Sequence, residues 1–156
     1  KLYYFFILDI PMKIEELFED WSRDSVLDKT ELGDESLKIP KLHSKYYQRL
    51  VQERLILKKL EADMKQLKLG KWEFYTQGPS DESREKGWEM PAKGMILKQE
   101  VQWYMDADKD IIDVSLKIGI QQEKIEMLTS IVQTLNNRGY QIKNAIDWLK
   151  FINGGS

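Results

Sequence analysis

The 156-residue chain contains no cysteine and only one histidine. It therefore lacks disulfides, thiolate metal sites and a cysteine nucleophile, and it cannot build a metal site from three histidines of one chain. No apolar run approaches the ~18 residues that a membrane span needs. The longest run, Leu2 to Leu8, has no signal-peptide cleavage pattern after it. These absences predict a soluble, intracellular protein with no cofactor and no membrane partner.

The sequence also lacks an enzyme or metal signature. Asp106-x-Asp108-x-Asp110 opens like a calcium-binding loop, but Ile111 and Lys117 stand where that loop needs Gly and Glu. Acidic residues at the start of a helix are explained by the favourable field of the helix dipole. We therefore predict no catalytic residues and no metal ligands.

Charge is distributed unevenly, although the formal net charge is only −2. Residues 41–71 hold nine basic and three acidic side chains, a net charge of +6, whereas the segments on either side are net acidic. Such a block favours an anion-binding surface, and nucleic acid is the commonest large anion. The alternative is a solvated, lysine-rich helix face that binds nothing.

Apolar periodicity predicts an all-α fold. Residues 13–21 carry one helical stripe, and residues 22–40 are interpreted as a capped connection because they include Gly33 and Pro40. A long helix is then predicted from Lys41 to a stop at Gly70. Its apolar face comprises Tyr46, Leu50, Leu57, Leu60, Met64 and Leu67.

Three regions follow from this pattern. Residues 12–76 are predicted to form an N-terminal helical region with the basic helix, and residues 77–93, rich in Gly, Pro and charge, a mobile loop. Residues 94–156 are predicted to form a C-terminal helical region, broken at Asn136–Gly139. Residues 1–11 are apolar and aromatic, whereas the sequence from Met12 onward is charged and amphipathic. We interpret residues 1–11 as an upstream segment; an apolar arm that docks on a neighbouring subunit is the alternative.

The C-terminal region carries two apolar stripes. A helix that is apolar on two sides packs against more than one partner, so we predict subunit contacts here, with an intramolecular helical hairpin as the alternative. The second stripe includes Ile112, Leu116, Ile120, Met127 and Ile131. The residues assigned to oligomerisation are Ile118, Ile125, Leu128, Ile131, Val132, Leu135, Ile142 and Ile146.

A basic helix face leads into a cluster of aromatic residues. Cations neutralise phosphates and aromatic rings stack on bases of any sequence, so this composition predicts single-stranded DNA binding without sequence specificity. At ~100° per residue, the side chains of four basic residues lie within about 80° of the helix circumference. These are Arg54, Lys58, Lys65 and Lys68. The predicted DNA-binding residues are Arg54, Lys58, Lys65, Lys68, Lys71, Trp72, Phe74 and Tyr75. In the alternative, the aromatic residues cap the core of the helix.

Five short motifs, in order, resemble the UvsY family of recombination mediators from T4-like bacteriophages, and the resemblance extends over residues 12–155. The motifs are Asp28-x-Thr30-x-Leu32, Leu42-x-Ser44-Lys45-Tyr46, Lys71-Trp72-Glu73-Phe74-Tyr75-Thr76, Ala107-Asp108-Lys109-Asp110 and Asn137-Arg138-Gly139-Tyr140-x-Ile142-Lys143.

The resemblance implies a non-enzymatic protein that binds single-stranded DNA in the cytoplasm of the infected host. It further implies a homo-oligomeric ring of about six or seven subunits, held by the C-terminal helices. Such proteins load a RecA-like recombinase of the phage onto DNA covered by the phage single-strand-binding protein. Lys71 matches one basic residue of the family's DNA-binding motif; the second falls on Leu69, and Lys68 is its nearest substitute. A phage structural or assembly coiled-coil protein that binds no nucleic acid is the alternative function.

Overall fold

The computed structural model describes residues 12–94 and 96–154, and within these ranges it contains helices and no strands. The helices are α1 (Ile14–Asp24), α2 (Leu32–Gln77), α3 (Asp81–Glu85), α4 (Val101–Asp106) and α5 (Lys109–Ile152). The predicted all-α class is therefore confirmed. None of these helices combines the length and the apolar character that crossing a membrane requires. Residues 1–11, interpreted above as an upstream segment, lie outside the described residues.

Helix α2 extends beyond the predicted helix at both ends. It begins at Leu32, so the connection predicted over residues 22–40 is wrong for its last part. Acidic side chains in the first turn suit the positive end of the helix dipole, and the helix continues through Pro40. The predicted stop at Gly70 is also wrong, because the helix continues to Gln77. A Cβ atom at Gly70 would lie 3.2 Å from the Cη2 atom of Trp88, so glycine is what lets the indole approach the helix backbone.

The described chain forms two compact units, and each long helix contributes residues to both. The first unit combines residues 12–56 with residues 122–154. Its core contains Leu17, Tyr46, Leu50, Leu128, Ile131 and Leu135. The Trp21 ring packs edge-on against the Tyr46 ring, with centroids 5.5 Å apart. Apolar side chains from α1, α2 and α5 thus share one core.

Two buried cations in the first unit, Lys124 and Arg138, have defined partners. Lys124 Nζ lies 2.8 Å from Glu53 Oε2 and donates a hydrogen bond to the Met12 carbonyl oxygen at 3.1 Å. Arg138 Nη2 donates to the carbonyl oxygens of Asp24 and Ser25, at 3.0 and 2.6 Å. These carbonyls stand at the end of α1, where helix geometry leaves acceptors unsatisfied. Arg138 therefore caps a helix from far along the chain.

The break predicted at Asn136–Gly139 is wrong, because α5 is continuous from Lys109 to Ile152. Arg138, at the centre of that motif, is buried in the first unit and bonded to the end of α1. The packing and hydrogen bonding of this turn outweigh the local preference of Asn and Gly for a helix end.

Residues of both apolar stripes of α5 are used within the chain. Leu128, Ile131 and Leu135 belong to the core of the first unit, and Ile142 is also buried. Their assignment to subunit contacts is therefore wrong, because they have no surface left for another subunit. Of the other assigned residues, Ile125 and Val132 pack partly buried against the core, and Ile118 and Ile146 are half-buried.

The second unit comprises Leu57–Gln121. Its core contains Phe74, Tyr75, Ile96, Val101, Met105 and Ile111. Trp88 packs edge-on against Phe74, with ring centroids 5.5 Å apart, and Met90 packs against the same cluster. The segment predicted as a mobile loop, residues 77–93, thus contains α3 and contributes side chains to a packed core.

Candidate nucleic-acid interface

Three exposed lysines and one tryptophan share a face of α2 in the second unit. Lys58, Lys65 and Lys68 are exposed and have no ion pair with any described residue. Trp72, one turn after Lys68, is 47% exposed. At 100° per residue, the four side chains lie within about 80° of the helix circumference. We call these four residues the lysine face. Their side chains are accessible, as a DNA contact requires.

One acidic residue lies among these cations. Glu61 is exposed, three positions after Lys58 and four before Lys65. Exposed charges at these spacings interact weakly, by a few tenths of a kcal/mol. The lysine face therefore keeps a net positive charge. Arg54, predicted to belong to the same face, is also exposed but belongs to the first unit.

Lys71 is not on the surface. Only 5% of the residue is exposed, and its Nζ atom lies 2.9 Å from Asp108 Oδ2 and 2.7 Å from Asp110 Oδ2. The same ammonium group stands 4.2 Å from the centroid of the Trp88 ring. The prediction that Lys71 is accessible to phosphate is therefore wrong, because its charge is already satisfied by two carboxylates and an aromatic ring.

Phe74 and Tyr75 are likewise buried, so the prediction that they offer stacking surfaces to bases is wrong. Their rings pack against each other, with centroids 5.3 Å apart, and the Tyr75 hydroxyl donates a hydrogen bond to Asp108 Oδ2 at 2.7 Å. Burial, followed by that bond to an anion, raises the pKa of Tyr75. Both residues follow the alternative interpretation, in which aromatic residues complete the core at the end of the helix.

Asp108 organises the buried charges and the start of α5. Its Oδ1 atom accepts hydrogen bonds from the backbone N–H groups of Asp110 at 3.0 Å and Ile111 at 3.2 Å, so the residue caps the helix. Burial raises the pKa of Asp108. The bonds from Lys71 and Tyr75 lower the pKa and together outweigh burial, so the pKa lies below its ordinary value. The interpretation of this acidic motif as a helix start is confirmed. Among the described residues, no cluster of His, Asp or Glu side chains suits a metal ion.

The burial of Lys71 has a sequence signal. Leu57, Leu60, Met64 and Leu67 follow each other at spacings of three and four, and the same rhythm continues through Lys71 to Phe74. Both of these later residues therefore lie on the core side of α2. The assumed helix stop at Gly70 concealed this continuation.

Comparisons with known proteins agree with this architecture. A family model described as "Recombination, repair and ssDNA binding protein UvsY" matches residues 20–155. The recombination protein uvsY of Enterobacteria phage T4 is 24% identical over 141 residues, which cover 90% of this chain and 97% of that protein.

Solved structures of the bacteriophage T4 recombination mediator protein UvsY share the fold. The structure in lattice type II has a TM-score of 0.73 at 24% identity and covers 91% of this chain and 98% of that one. The structure in lattice type IV has a TM-score of 0.72 at 21% identity, with 90% and 98% covered. Because the family model spans most of its length, the chain belongs to the UvsY family of recombination, repair and single-stranded DNA-binding proteins.

Proposed function

We propose that this protein is a recombination mediator that binds single-stranded DNA without sequence specificity and acts as a homo-oligomeric ring. It promotes the loading of a RecA-like phage recombinase onto DNA covered by a single-strand-binding protein, in the cytoplasm of the infected bacterium. The proposal includes no catalytic step. Membership of the UvsY family supports the general role, and a T4 relative is described as a recombination mediator.

The lysine face is the observation that carries the DNA-binding proposal. Its lysines have no partner among the described residues, so their charge remains available for phosphates, and the exposed indole of Trp72 offers a stacking surface. From Lys58 to Trp72 the face extends about 21 Å along the helix. Lysine ammonium groups and one aromatic ring provide affinity but no readout of base edges, which agrees with binding that ignores sequence.

Four of the eight residues assigned to oligomerisation are buried within the chain, so we propose that the subunit contact includes a further exposed apolar surface. The second apolar stripe of α5 offers it within the second unit, because Ile112, Leu116 and Ile120 are 42%, 63% and 56% exposed and follow each other at intervals of four residues. Contact between such stripes buries apolar area, which is the main favourable term in association. We propose these three residues as part of the subunit contact.

A ring turns weak individual sites into strong binding. Each lysine face holds only a short stretch of strand, but neighbouring copies then engage the same strand at high effective concentration. A strand held along successive copies is bent and partly unstacked. That geometry weakens the grip of a competing single-strand-binding protein and favours nucleation of the recombinase.

Paired lysine substitutions test the DNA site. Lys65→Ala with Lys68→Ala should lower the affinity for oligothymidylate and oligoadenylate alike, and the slope of log affinity against log salt should become shallower by ~0.7 per lost phosphate contact. Trp72→Ala should weaken binding by ~1–3 kcal/mol with little change in that slope. The matched control is Lys98→Ala with Lys117→Ala, which removes two exposed lysines of the same unit. Equal losses in the two lysine pairs would exclude a local site, and no binding by the unaltered protein at low salt would favour the coiled-coil alternative.

The subunit contact is tested by Leu116→Asp. A charge on an exposed position costs little in the monomer but several kcal/mol in a buried apolar contact, so the oligomer should dissociate. Light scattering measures the mass, and Leu97→Asp is the control because Leu97 is similarly exposed, at 56%, outside the stripe. An unchanged mass for Leu116→Asp would remove this stripe from the interface.

A further inference from the structure

A groove in the second unit lies on a different side of α2 from the lysine face. Its volume is about 600 Å³, and its apolar lining consists of Leu67, Leu69, Gly70 and Trp88. Taken around the helix at 100° per residue, the groove is centred about 140° from the lysine face. A strand on the lysine face therefore leaves most of the groove open, with only Leu69, at its edge, next to that face.

The groove is framed by carboxylates. Asp63 and Glu73 are exposed, and neither has an ion pair or a side-chain hydrogen bond with a described residue. Glu82 is neutralised by Lys86, whose Nζ atom lies 2.5 Å from its Oε1 atom. Two uncompensated negative charges thus remain, and they stand about 15 Å apart along the helix.

Gly70 and Trp88 lie against each other in the lining of the groove. The Trp88 ring reaches the backbone of α2 because residue 70 has no Cβ, and the ring is only half-buried despite its contact with Phe74. The ammonium groups of Lys71 and Lys86 already stand 4.2 and 5.1 Å from the centroid of this ring, so its open part suits an apolar group, and the cations of a ligand would face the two carboxylates instead. Nucleic acid is a poor occupant, because its phosphates would face the two carboxylates.

We propose that this groove binds a short basic segment of a protein partner. An apolar side chain of the segment packs against the Trp88 ring, and one cation faces each of Asp63 and Glu73. An extended segment with lysines four positions apart has the required span, about 13 Å between its Cα atoms before the side chains reach outward. The docking site goes beyond DNA binding and does not depend on it. It gives the protein a separate surface for a second macromolecule.

Fluorine NMR of the full-length protein labelled with 5-fluorotryptophan tests the docking site. The probe is the capped peptide Lys-Ala-Leu-Ala-Lys, and the Trp88 resonance is assigned with the variant Trp88→Phe. The peptide should shift the Trp88 resonance in a saturable manner and leave Trp72 unchanged. Oligothymidylate should do the reverse, so a failure of DNA binding is seen separately from a failure of docking.

Variants and control peptides separate charge from shape. Asp63→Asn with Glu73→Gln should weaken peptide binding about three- to tenfold, whereas the control pair Glu85→Gln with Glu89→Gln, also exposed but outside the groove, should leave it unchanged. Replacing the lysines of the peptide with glutamate, or its leucine with alanine, should abolish the shift. An unmoved Trp88 resonance, a shift that survives Asp63→Asn with Glu73→Gln, or a larger response of Trp88 to oligothymidylate than to the peptide would each overturn the proposal.

Discussion

Replacement of Lys71 by methionine separates a structural charge from a DNA contact. The side chains of Lys71 and Asp108 are 6% and 4% exposed, so the pair belongs to the buried class, in which removal of one partner costs ~3–5 kcal/mol. Asp108 would keep the Tyr75 hydroxyl and two backbone N–H donors, and Asp110, which is 48% exposed, can hydrate. We therefore expect the lower end of the range, about 3 kcal/mol.

Urea unfolding followed by circular dichroism measures this loss, and the midpoint of thermal unfolding should fall by about 6–12 °C. Well below that midpoint, Lys71→Met should bind single-stranded DNA with an unchanged salt slope. Lys68→Met is the matched control, because it removes an exposed cation three residues away. It should change the free energy of unfolding by no more than about 0.5 kcal/mol and flatten the salt slope by ~0.7.

A triple variant checks the cause of the destabilisation. Lys71→Met combined with Asp108→Asn and Asp110→Asn removes all three charges of this cluster, and asparagine still caps a helix well, so most of the lost stability should return. The reasoning is refuted if Lys71→Met unfolds like the unaltered protein while its salt slope becomes shallower. Lys71 would then be a phosphate contact rather than part of the core.

Three further substitutions test the packing, the helix and the pH response. Leu128→Ala should lower the free energy of unfolding by ~2–5 kcal/mol, because Leu128 is fully buried; a loss below 1 kcal/mol in urea unfolding would contradict its place in the core. Gly139→Ala should raise the free energy of unfolding by about 0.5–1 kcal/mol, since no described atom outside the local helix backbone lies within 4 Å of the new Cβ, and a lower unfolding midpoint would mean that the glycine is required. Burial raises the pKa of Asp24, but hydrogen bonds from Lys45 and Tyr46 outweigh burial and bring the pKa below the ordinary value of 3.8. This stabilisation is complete above the unfolded-state pKa and is lost as the pH falls through the folded-state value, so Asp24→Asn should flatten the decline of unfolding free energy below about pH 4.

The sequence predicted the parts of the fold that depend on periodicity. Tyr46 and Leu50 lie in a core as their spacing predicts, and Lys58, Lys65 and Lys68 are exposed, with their mean direction roughly 90° around the helix from the apolar stripe. Apolar side chains that recur at three and four residues must face the same way in a helix, and long polar side chains on the other faces remain in water. These expectations need no knowledge of distant residues.

The failures share a different physical origin. Gly70 and Arg138 stand in sequences that locally favour a helix end, but each is held in a helix by a partner remote in the chain: the Trp88 ring for Gly70 and the end of α1 for Arg138. In the sequence Lys71 cannot be distinguished from a surface cation, because its buried partner Asp108 lies 37 positions later in the chain. Local propensity is a weak prior, and tertiary contacts of this kind override it.

The division of the chain into two units has a consequence for the order of folding during synthesis. The second unit is contiguous, so all its contacts are available once Gln121 has emerged from the ribosome. The first unit must wait, because Met12 meets Lys124 and Asp24 meets Arg138 across separations of 112 and 114 residues. Early folding of residues 57–121 shortens the loop that these contacts close and so reduces its entropic cost. A nascent chain that is stalled when residues up to Gln121 have emerged would therefore contain the folded second unit. Its N-terminal segment would still lack the part of α5 with which it forms the first unit.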